Sequence, residues 1–443
     1  MKIHILACGG AVMHNIALAL HNLGHMVTGS DDEIFEPALS RLKAKGLLPE
    51  AFGWFPEKID TSLDFIILGM HARSDNPELK KAQELGLKIY SFPDYVYEHA
   101  KDKTRLVIAG SHGKTTTTAM VMHVLKHLNR DFDYLVGSQL EGFDTMVKFS
   151  NAPLMVIEGD EYLTSTLDAV PKFMKYKPHF TQITGIAWDH INVFPTFENY
   201  VSQFENYIAT IQPHGELIYF EGDEHLKKIA EQAAVKHRAY STPAYETVNG
   251  KVILKKEKDY PMEVFGDHNL QNLEGARMLC NNIGISNDEF YSAIGSFTGT
   301  ARRLEKVYEG PGLTIIRDFA HSPSKLKATV SAVRQQYPDS HLAAVFELHT
   351  FSSLSRNFLP HYNDTMTPAD TRIVYYNPHV FEMKRMPVLD AAEVKGGFGG
   401  NIEVMNSTPD LLEKINFLKS NVSDTPCVLL LMSSGNFDNA QFF

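Results

Sequence analysis

The stretch Gly110-Ser111-His112-Gly113-Lys114-Thr115-Thr116 constrains the fold of this 443-residue chain more than any other. It follows the expected strand 105–109, apolar from Leu106 on, and precedes a segment that carries Met120, Val121, Val124 and Leu125 at helical spacing. The order is therefore strand, tight loop, helix. Such a loop aims backbone N–H groups and a helix N-terminus at phosphate oxygens, sets a lysine ammonium by the terminal phosphates and offers a hydroxyl to magnesium. It is two residues shorter than the common G-x-x-x-x-G-K-[ST] loop. The plain alternative is a glycine turn that merely joins a strand to a helix. A strand that feeds a helix in this way belongs to a βαβ unit, and the fold class is accordingly α/β with a mainly parallel sheet.

The same alternation runs along the rest of the chain. Expected strands at 3–8, 25–29, 65–68 and 88–92, with helices at 11–23 and 77–85, make residues 1–103 a Rossmann-like domain. The charged segment 99–104 reads as a linker. Residues 104–298 then form a domain around the phosphate loop, and Gly299 within 297–303 marks the next boundary. Residues 299–443 form a third, Rossmann-like domain with expected strands at 313–317, 342–348, 371–376 and 427–432. Ligands of parallel sheets bind outside the carboxyl ends of the strands, so the polar loops 318–322, 349–353, 377–379 and 433–436 are candidate binding loops. Three domains of about 150 residues account for the length.

Composition excludes several classes of partner. Asp and Glu outnumber Lys and Arg by 53 to 42, a net charge of -11, and no basic tract is present to seek nucleic acid or an anionic membrane surface. Cys8, Cys280 and Cys427 lie far apart without paired spacing, which fits a reducing cytoplasm and neither a disulfide framework nor a cysteine zinc site. His4, Gly9, Gly10, His14 and Asn15 interrupt any signal-peptide core, and no apolar run reaches the roughly 18 residues of a membrane span. A cytoplasmic protein is expected. Nothing in the sequence indicates its oligomeric state.

Other candidates for chemistry follow in order. The apolar run 154–157 ends in Glu158-Gly159-Asp160-Glu161, carboxylates suited to a hard cation or to a solvated acidic turn. Trp188-Asp189-His190-Ile191-Asn192 holds an Asp-His pair that is catalytic or a structural hydrogen bond. Gly266-Asp267-His268-Asn269-Leu270-Gln271-Asn272-Leu273 opens a helix on which Asn269 and Asn272 share a face, either to read a purine edge or to cap. Arg302-Arg303 at the second boundary is a phosphate contact or a solvated pair.

Taken together, Gly-Ser-His-Gly-Lys-Thr-Thr, Glu-Gly-Asp-Glu, Asp-His-Ile-Asn, Asp-His-Asn-Leu-Gln-Asn, Gly-Thr-Ala-Arg-Arg and Asp-Phe-Ala-His-Ser-Pro resemble, in order and spacing, the motif series of the Mur ligases. The resemblance spans all three expected domains. It implies an N-terminal domain for a UDP-sugar, a central ATPase and a C-terminal domain that closes over the site, with ATP and Mg²⁺ as cofactors. Carried over position by position, it implies that Gly110, Ser111, His112, Gly113 and Thr116 cradle ATP. Lys114 would bind its β- and γ-phosphates, and Thr115 and Glu158 would hold the bridging magnesium. His190 would serve a second one. His268, Asn269 and Asn272 fall at nucleotide contacts, Arg302 or Arg303 at the phosphates, and Asp318 at the ribose; His321 is their neighbour.

Departures from the family pattern matter as well. The segment Val201-Ser202-Gln203-Phe204 offers no lysine, so no carbamylated lysine is expected to hold the second metal. The loop Ala7-Cys8-Gly9-Gly10-Ala11-Val12-Met13 lacks G-x-G-x-x-G spacing, which disfavours a nicotinamide-dependent dehydrogenase. Gly9, Gly10, Ala11, Asp31, His71 and Arg73 are instead expected around uridine and diphosphate.

The implied reaction joins the lactyl carboxylate of UDP-N-acetylmuramate to an amine through an acyl phosphate. Within the family, residues 3–6, 159–162 and 432–437 look more like the members that add a murein tripeptide than like those that add L-alanine. Arg356, Lys384 and Arg385 are candidate partners for the peptide carboxylates. A P-loop nucleotide switch without ligase activity is the alternative of another class. Lys114 itself, on a surface loop, is expected to add little to stability.

Overall fold

The computed structural model describes residues 1–70, 72–165, 167–188, 193–248, 251–420 and 425–442. His71 and His190 lie outside the described residues. The chain packs as two compact units: the first contains 1–188, 193–241 and 272–294, and the second 242–271 and 295–442, of the described residues. Residues 242–271 thus pack with the second unit although they precede the boundary expected near 298.

The first unit carries two sheets. One is wholly parallel, in the order Met26–Ser30, Lys2–Leu6, Phe65–Leu68, Ile89–Ser91. Chain connections leave Lys2–Leu6 for one neighbour first and the other later, so the strand order reverses at its carboxyl end, which is where the loop 7–10 lies. The other sheet has seven strands, in the order Lys236–Tyr240, Glu216–Phe220, Phe180–Ile183, Thr104–Ala109, Leu154–Glu158, Asp133–Leu135 and Val147–Lys148. Only the last pairing is antiparallel. The strand before the phosphate loop is central, and its residues 105–109 are fully buried.

In the second unit a six-stranded sheet runs in the order Glu305–Gly310, Leu313–Asp318, Cys427–Met432, His341–Glu347, Thr371–Tyr375, Glu403–Met405, antiparallel only at its first pairing. Its central strands are apolar throughout 342–346 and 427–432 because both faces are covered. Ala344, Phe346, Leu430 and Met432 enter one core, and Ala343, Val345, Leu429 and Leu431 the other. A small antiparallel sheet, Tyr245–Val248, Lys251–Lys255 and Asp259–Met262, belongs to the same unit. Among the described residues no helix is long and apolar enough to cross a membrane.

Two local expectations change. The helix Phe92–Ala100 replaces the end of the strand expected at 88–92, because Ser91 Oγ accepts from Asp94 N at 3.2 Å and caps a helix there. Ala100 closes that helix and Thr104 opens the next strand, which shortens the expected linker 99–104 to 101–103.

Candidate active site

Two glycines shape the phosphate loop. Gly110 has φ +122° and Gly113 φ +75°, conformations that L side chains rarely adopt. Space enforces the same choice, since a Cβ at Gly110 would overlap Thr184 Oγ1 and one at Gly113 would overlap Asn272 Oδ1. Asn272 therefore sits directly against the loop. The helix Lys114–His127 begins at the loop and presents its first N–H groups there. Ser111 and Thr116 are buried beside it. The carbonyl of His112 accepts from the Thr184 hydroxyl.

The carboxylates of the Glu-Gly-Asp-Glu motif do not form one cation cage; each has its own partner. Lys114 Nζ donates at 2.6 Å to both Gly110 O and Glu161 Oε2. Burial disfavours the ammonium, but Glu161, Asp160 and Glu158 outweigh it and hold Lys114 above the ordinary lysine value. Asp160 pairs with Lys172 at 2.5 Å. Glu158 accepts from Thr115 Oγ1 at 2.7 Å and from Gly137 N at 2.8 Å. Among the described residues no group of three His, Cys, Asp or Glu gathers as a metal site.

Sequence reasoning missed Tyr200. Fully buried on the helix Phe197–Ile208, its hydroxyl lies 2.8 Å from Ser111 Oγ and donates to Glu161 Oε1 at 3.3 Å. Nothing in the sequence separates it from the other aromatic residues of that helix. Glu161 itself was visible, but only as one of three carboxylates suited to a hard cation or to a solvated acidic turn.

In the four-stranded sheet, Asp31 Oδ2 accepts from Gly9 N at 2.7 Å, which brings the expected uridine and diphosphate residues Gly9, Gly10 and Asp31 together at the reversal of strand order. Burial pushes the Asp31 carboxyl up, and the N–H bonds from Gly9 and Asp32 oppose it. Ala11 opens the following helix, and Arg73 is exposed on the loop after Phe65–Leu68.

Within the second unit, Asp318 is buried and bonded to its own surroundings: Leu304 N at 2.8 Å, Ala320 N at 2.7 Å and Thr329 Oγ1 at 3.1 Å. His268 is pushed below the ordinary histidine value by burial, against the pull of Asp318 and Asp267. Asn269 Nδ2 donates to Phe265 O at 2.9 Å, a bond to the turn before the helix; a cap would instead accept from a helix N–H. The Arg303 guanidinium lies 5.0 Å from the Phe319 ring centre, and Arg302 is exposed with φ +56°. Two of the expected binding loops knit together: Glu347, 2% exposed, accepts from the Ser433 hydroxyl and from Phe437 N, and Gly435 leaves no room for a Cβ beside His349 Nδ1. Arg356 is paired with Glu393 at 2.5 Å, whereas Lys384 Nζ lies 4.3 Å from the Phe351 ring centre and Arg385 is exposed.

Comparison with known proteins places these features. Three family profiles match: "Mur ligase family, catalytic domain" over residues 2–104, "Mur ligase middle domain" over 108–280 and "Mur ligase, glutamate ligase domain" over 302–435. The UDP-N-acetylmuramate--L-alanine ligase of Limosilactobacillus reuteri is 30% identical over 378 residues, 82% of each chain. The UDP-N-acetylmuramate--L-alanyl-gamma-D-glutamyl-meso-2,6-diaminoheptandioate ligase of Escherichia coli is 28% identical over 349 residues, 75% of this chain and 76% of that one. Among solved structures, UDP-N-acetylmuramate-alanine ligase MurC of Thermotoga maritima superposes with a TM-score of 0.71 at 22% identity, covering 99% of this chain and 97% of that one. A murein peptide ligase of Psychrobacter arcticus gives 0.65 at 22% identity, covering 100% and 97%.

Proposed function

The chain belongs to the Mur ligase family of ATP-dependent amide ligases, and we propose that it joins the carboxylate of UDP-N-acetylmuramate to the L-alanyl amine of a murein tripeptide. The domains are 1–103 for the UDP-sugar, 104–298 for ATP and 299–443 for the amine. One observation carries the ligase chemistry: a lysine and a hydroxyl–carboxylate pair stand side by side at the head of the phosphate-loop helix. Lys114 meets the β- and γ-phosphates, which needs only that its ammonium exchange one oxygen anion, Glu161, for another.

The donor set fits magnesium. Thr115 Oγ1 and Glu158 Oε1 are hard oxygens already 2.7 Å apart, and one carboxylate with a hydroxyl is what Mg²⁺ takes when phosphate oxygens and water complete its shell. Bound there, the ion supplies charge neutralisation for phosphoryl transfer. The N–H groups of the helix and Lys114 would hold the terminal phosphate in line for attack by the lactyl carboxylate, whose oxygen bonds the γ-phosphorus as the bond to ADP breaks. The amine then attacks the carbonyl carbon of the acyl phosphate, inorganic phosphate leaves with the C–O bond pair, and the nitrogen gives up a proton. Gly9, Gly10, Ala11, Asp31, His71 and Arg73 hold the UDP-sugar. The roles of His190, His268, Asn269, Arg302, Arg303 and Asp318 rest on the family resemblance.

A tripeptide brings several carboxylates that alanine lacks. Lys384 and Arg385, at the end of the helix that starts in the loop 377–379, support that choice, as does similarity to a peptide-adding relative. L-Alanine is the second reading, favoured by relatives of equal similarity. Phosphate release from ATP, measured with UDP-N-acetylmuramate and either acceptor, decides between them. We expect kcat/KM to be at least about 100-fold higher for the tripeptide, because a site built around charged groups strands them when only alanine enters. A higher value for alanine reverses the assignment. ATP hydrolysis indifferent to UDP-N-acetylmuramate would instead mark a nucleotide switch.

A further inference from the structure

Asn15 occupies a place where the helix Ala11–Asn22 has no local need of it. It is fully buried, and a helix interior prefers alanine or leucine to asparagine. The reason for the amide lies in what it bonds. His14 Nδ1 is 2.9 Å from Gly10 O, and a carbonyl only accepts, so Nδ1 carries the proton. His14 Nε2 must then accept, and it does so from Asn15 Nδ2 at 2.9 Å. Asn15 Nδ2 also donates to Ala11 O at 2.8 Å. These bonds orient the amide so that Oδ1 points away from its own helix, where it accepts from Met146 N at 3.0 Å and from Arg41 Nη1 at 3.3 Å. Arg41 braces the same crossing by donating to Asp144 O.

The path continues into the central sheet. Met146 O accepts from Val136 N at 2.9 Å. The next residue, Gly137, donates its N–H to Glu158 Oε2 at 2.8 Å and lies so close that a Cβ would come within 3.2 Å of Glu158 Oε1. Glu158 Oε1 in turn accepts from Thr115. Hydrogen bonds, joined by covalent links through Met146 and from Val136 to Gly137, therefore connect the carbonyl of Gly10 to the carboxylate beside the phosphate loop.

We propose that Asn15 is a positioning residue that couples occupancy of the Gly9-Gly10 loop by the UDP-sugar to the placement of Glu158 for the metal–nucleotide. The inference rests on the functional reading above, since it takes the loop as the UDP-sugar contact and Glu158 as the magnesium ligand. A ligand that fixes Gly10 fixes His14, Asn15 and the backbone at Met146, and through residues 136–137 favours one setting of the Glu158 carboxylate. By linkage, each ligand then tightens the other by the same factor.

Calorimetric titration of the full-length enzyme tests this, with Mg²⁺ and the non-hydrolysable imido analogue of ATP, in the presence and absence of saturating UDP-N-acetylmuramate. We expect the UDP-sugar to raise analogue affinity at least about fivefold in the wild type. In Asn15→Ala both ligands still bind, but the ratio falls to within about twofold of unity. Asn15→Asp keeps the acceptor that faces Met146 N, next to Arg41, but a carboxylate donates neither to His14 Nε2 nor to Ala11 O, so the link to Gly10 is cut and the ratio is expected to fall as in the alanine variant. A purely structural role would lower the melting temperature and both affinities yet leave the ratio intact. Arg41→Met removes the brace from a partly exposed position and is expected to lower the ratio; it decides the matter if Asn15→Ala fails to fold. An undiminished ratio in the folded variant, or a wild type that binds both ligands independently, overturns the coupling role alone. A wild type that binds the analogue and ignores UDP-N-acetylmuramate overturns the functional reading before any variant is made.

Discussion

Lys114 shows how one residue changes meaning between sequence and structure. As a loop lysine it was expected to add little to stability, but its ammonium is half of a pair with a carboxylate only 1% exposed. Lys114→Ala thus does two things: it removes the cation proposed for the phosphates, and it takes from Glu161 the charge that compensates its burial. Breaking such a pair from one side typically costs about 3 to 5 kcal/mol. We expect Lys114→Ala to lose ligation by at least about 100-fold and to unfold at clearly lower urea. Lys114→Ala combined with Glu161→Gln should recover most of the stability and none of the activity. Urea titration beside a phosphate-release assay separates the two effects, and a single variant as stable and as active as wild type would refute both. The motif was legible in the sequence because its glycines and lysine have few other uses together. Which of Glu158, Asp160 and Glu161 faces the lysine was not, because three adjacent carboxylates differ only in where the backbone points them.

At the scale of elements, buried parallel strands were the legible part: Phe65–Leu68 and Cys427–Met432 have the expected ends, since an apolar run covered on both faces has sharp limits. The small antiparallel sheet and the edge strand Glu305–Gly310 escaped, because Glu305–Gly310 exposes half its residues, Lys251–Lys255 begins and ends in lysine, and both carry the charges of a loop. The expected linker held a further element-level feature. His99 and Lys103 both bond Asp133 Oδ2, at 2.9 and 2.6 Å, and so tie the helix Phe92–Ala100 to the strand Asp133–Leu135. Burial pushes the Asp133 carboxyl up, but His99, Lys103 and Ser150 hold it down to about 2, against 3.8 for an ordinary aspartate. Its folded value lies below its unfolded one, so the stabilisation is present above pH 4 and is lost as pH falls through 2. The difference corresponds to about 2 kcal/mol. Asp133→Asn should lower the urea stability by about that much at pH 6 and by far less near pH 2. An equal loss at both would assign the effect to packing.

For the whole molecule, the division into two units makes a statement that the three cysteines can test. Cys8, Cys280 and Cys427 fall one to each sheet-bearing domain, all are buried, and burial raises each thiol, Cys8 to about 12. None should react with a thiol reagent at pH 8 until its surroundings open. Cys8 and Cys280 both lie in the first unit, where Asn15 to Met146, His99 to Asp133 and Tyr95 against Phe149 join the four-stranded sheet and its helices to the seven-stranded one. Arg105 strengthens the join: 1% exposed, its guanidinium donates to the carbonyls of Ala100, Lys101 and Lys103 and to those of Tyr176 and Lys177, so the connection 101–103 is held at both ends. Opening the N-terminal sheet alone would break those bonds without releasing the chain entropy of the rest, which makes joint unfolding the cheaper route. Pulsed thiol labelling along a urea series, read by mass spectrometry of the peptides, should therefore give Cys8 and Cys280 the same midpoint, while Cys427 reports the second unit separately. Magnesium and an ATP analogue bind a loop of the first unit in the proposed site, so they should raise the Cys8 and Cys280 midpoints together. Cys8 labelling at clearly lower urea than Cys280 would mean that the two sheets unfold independently and that the bonds between them, Asn15 included, are too weak to transmit anything.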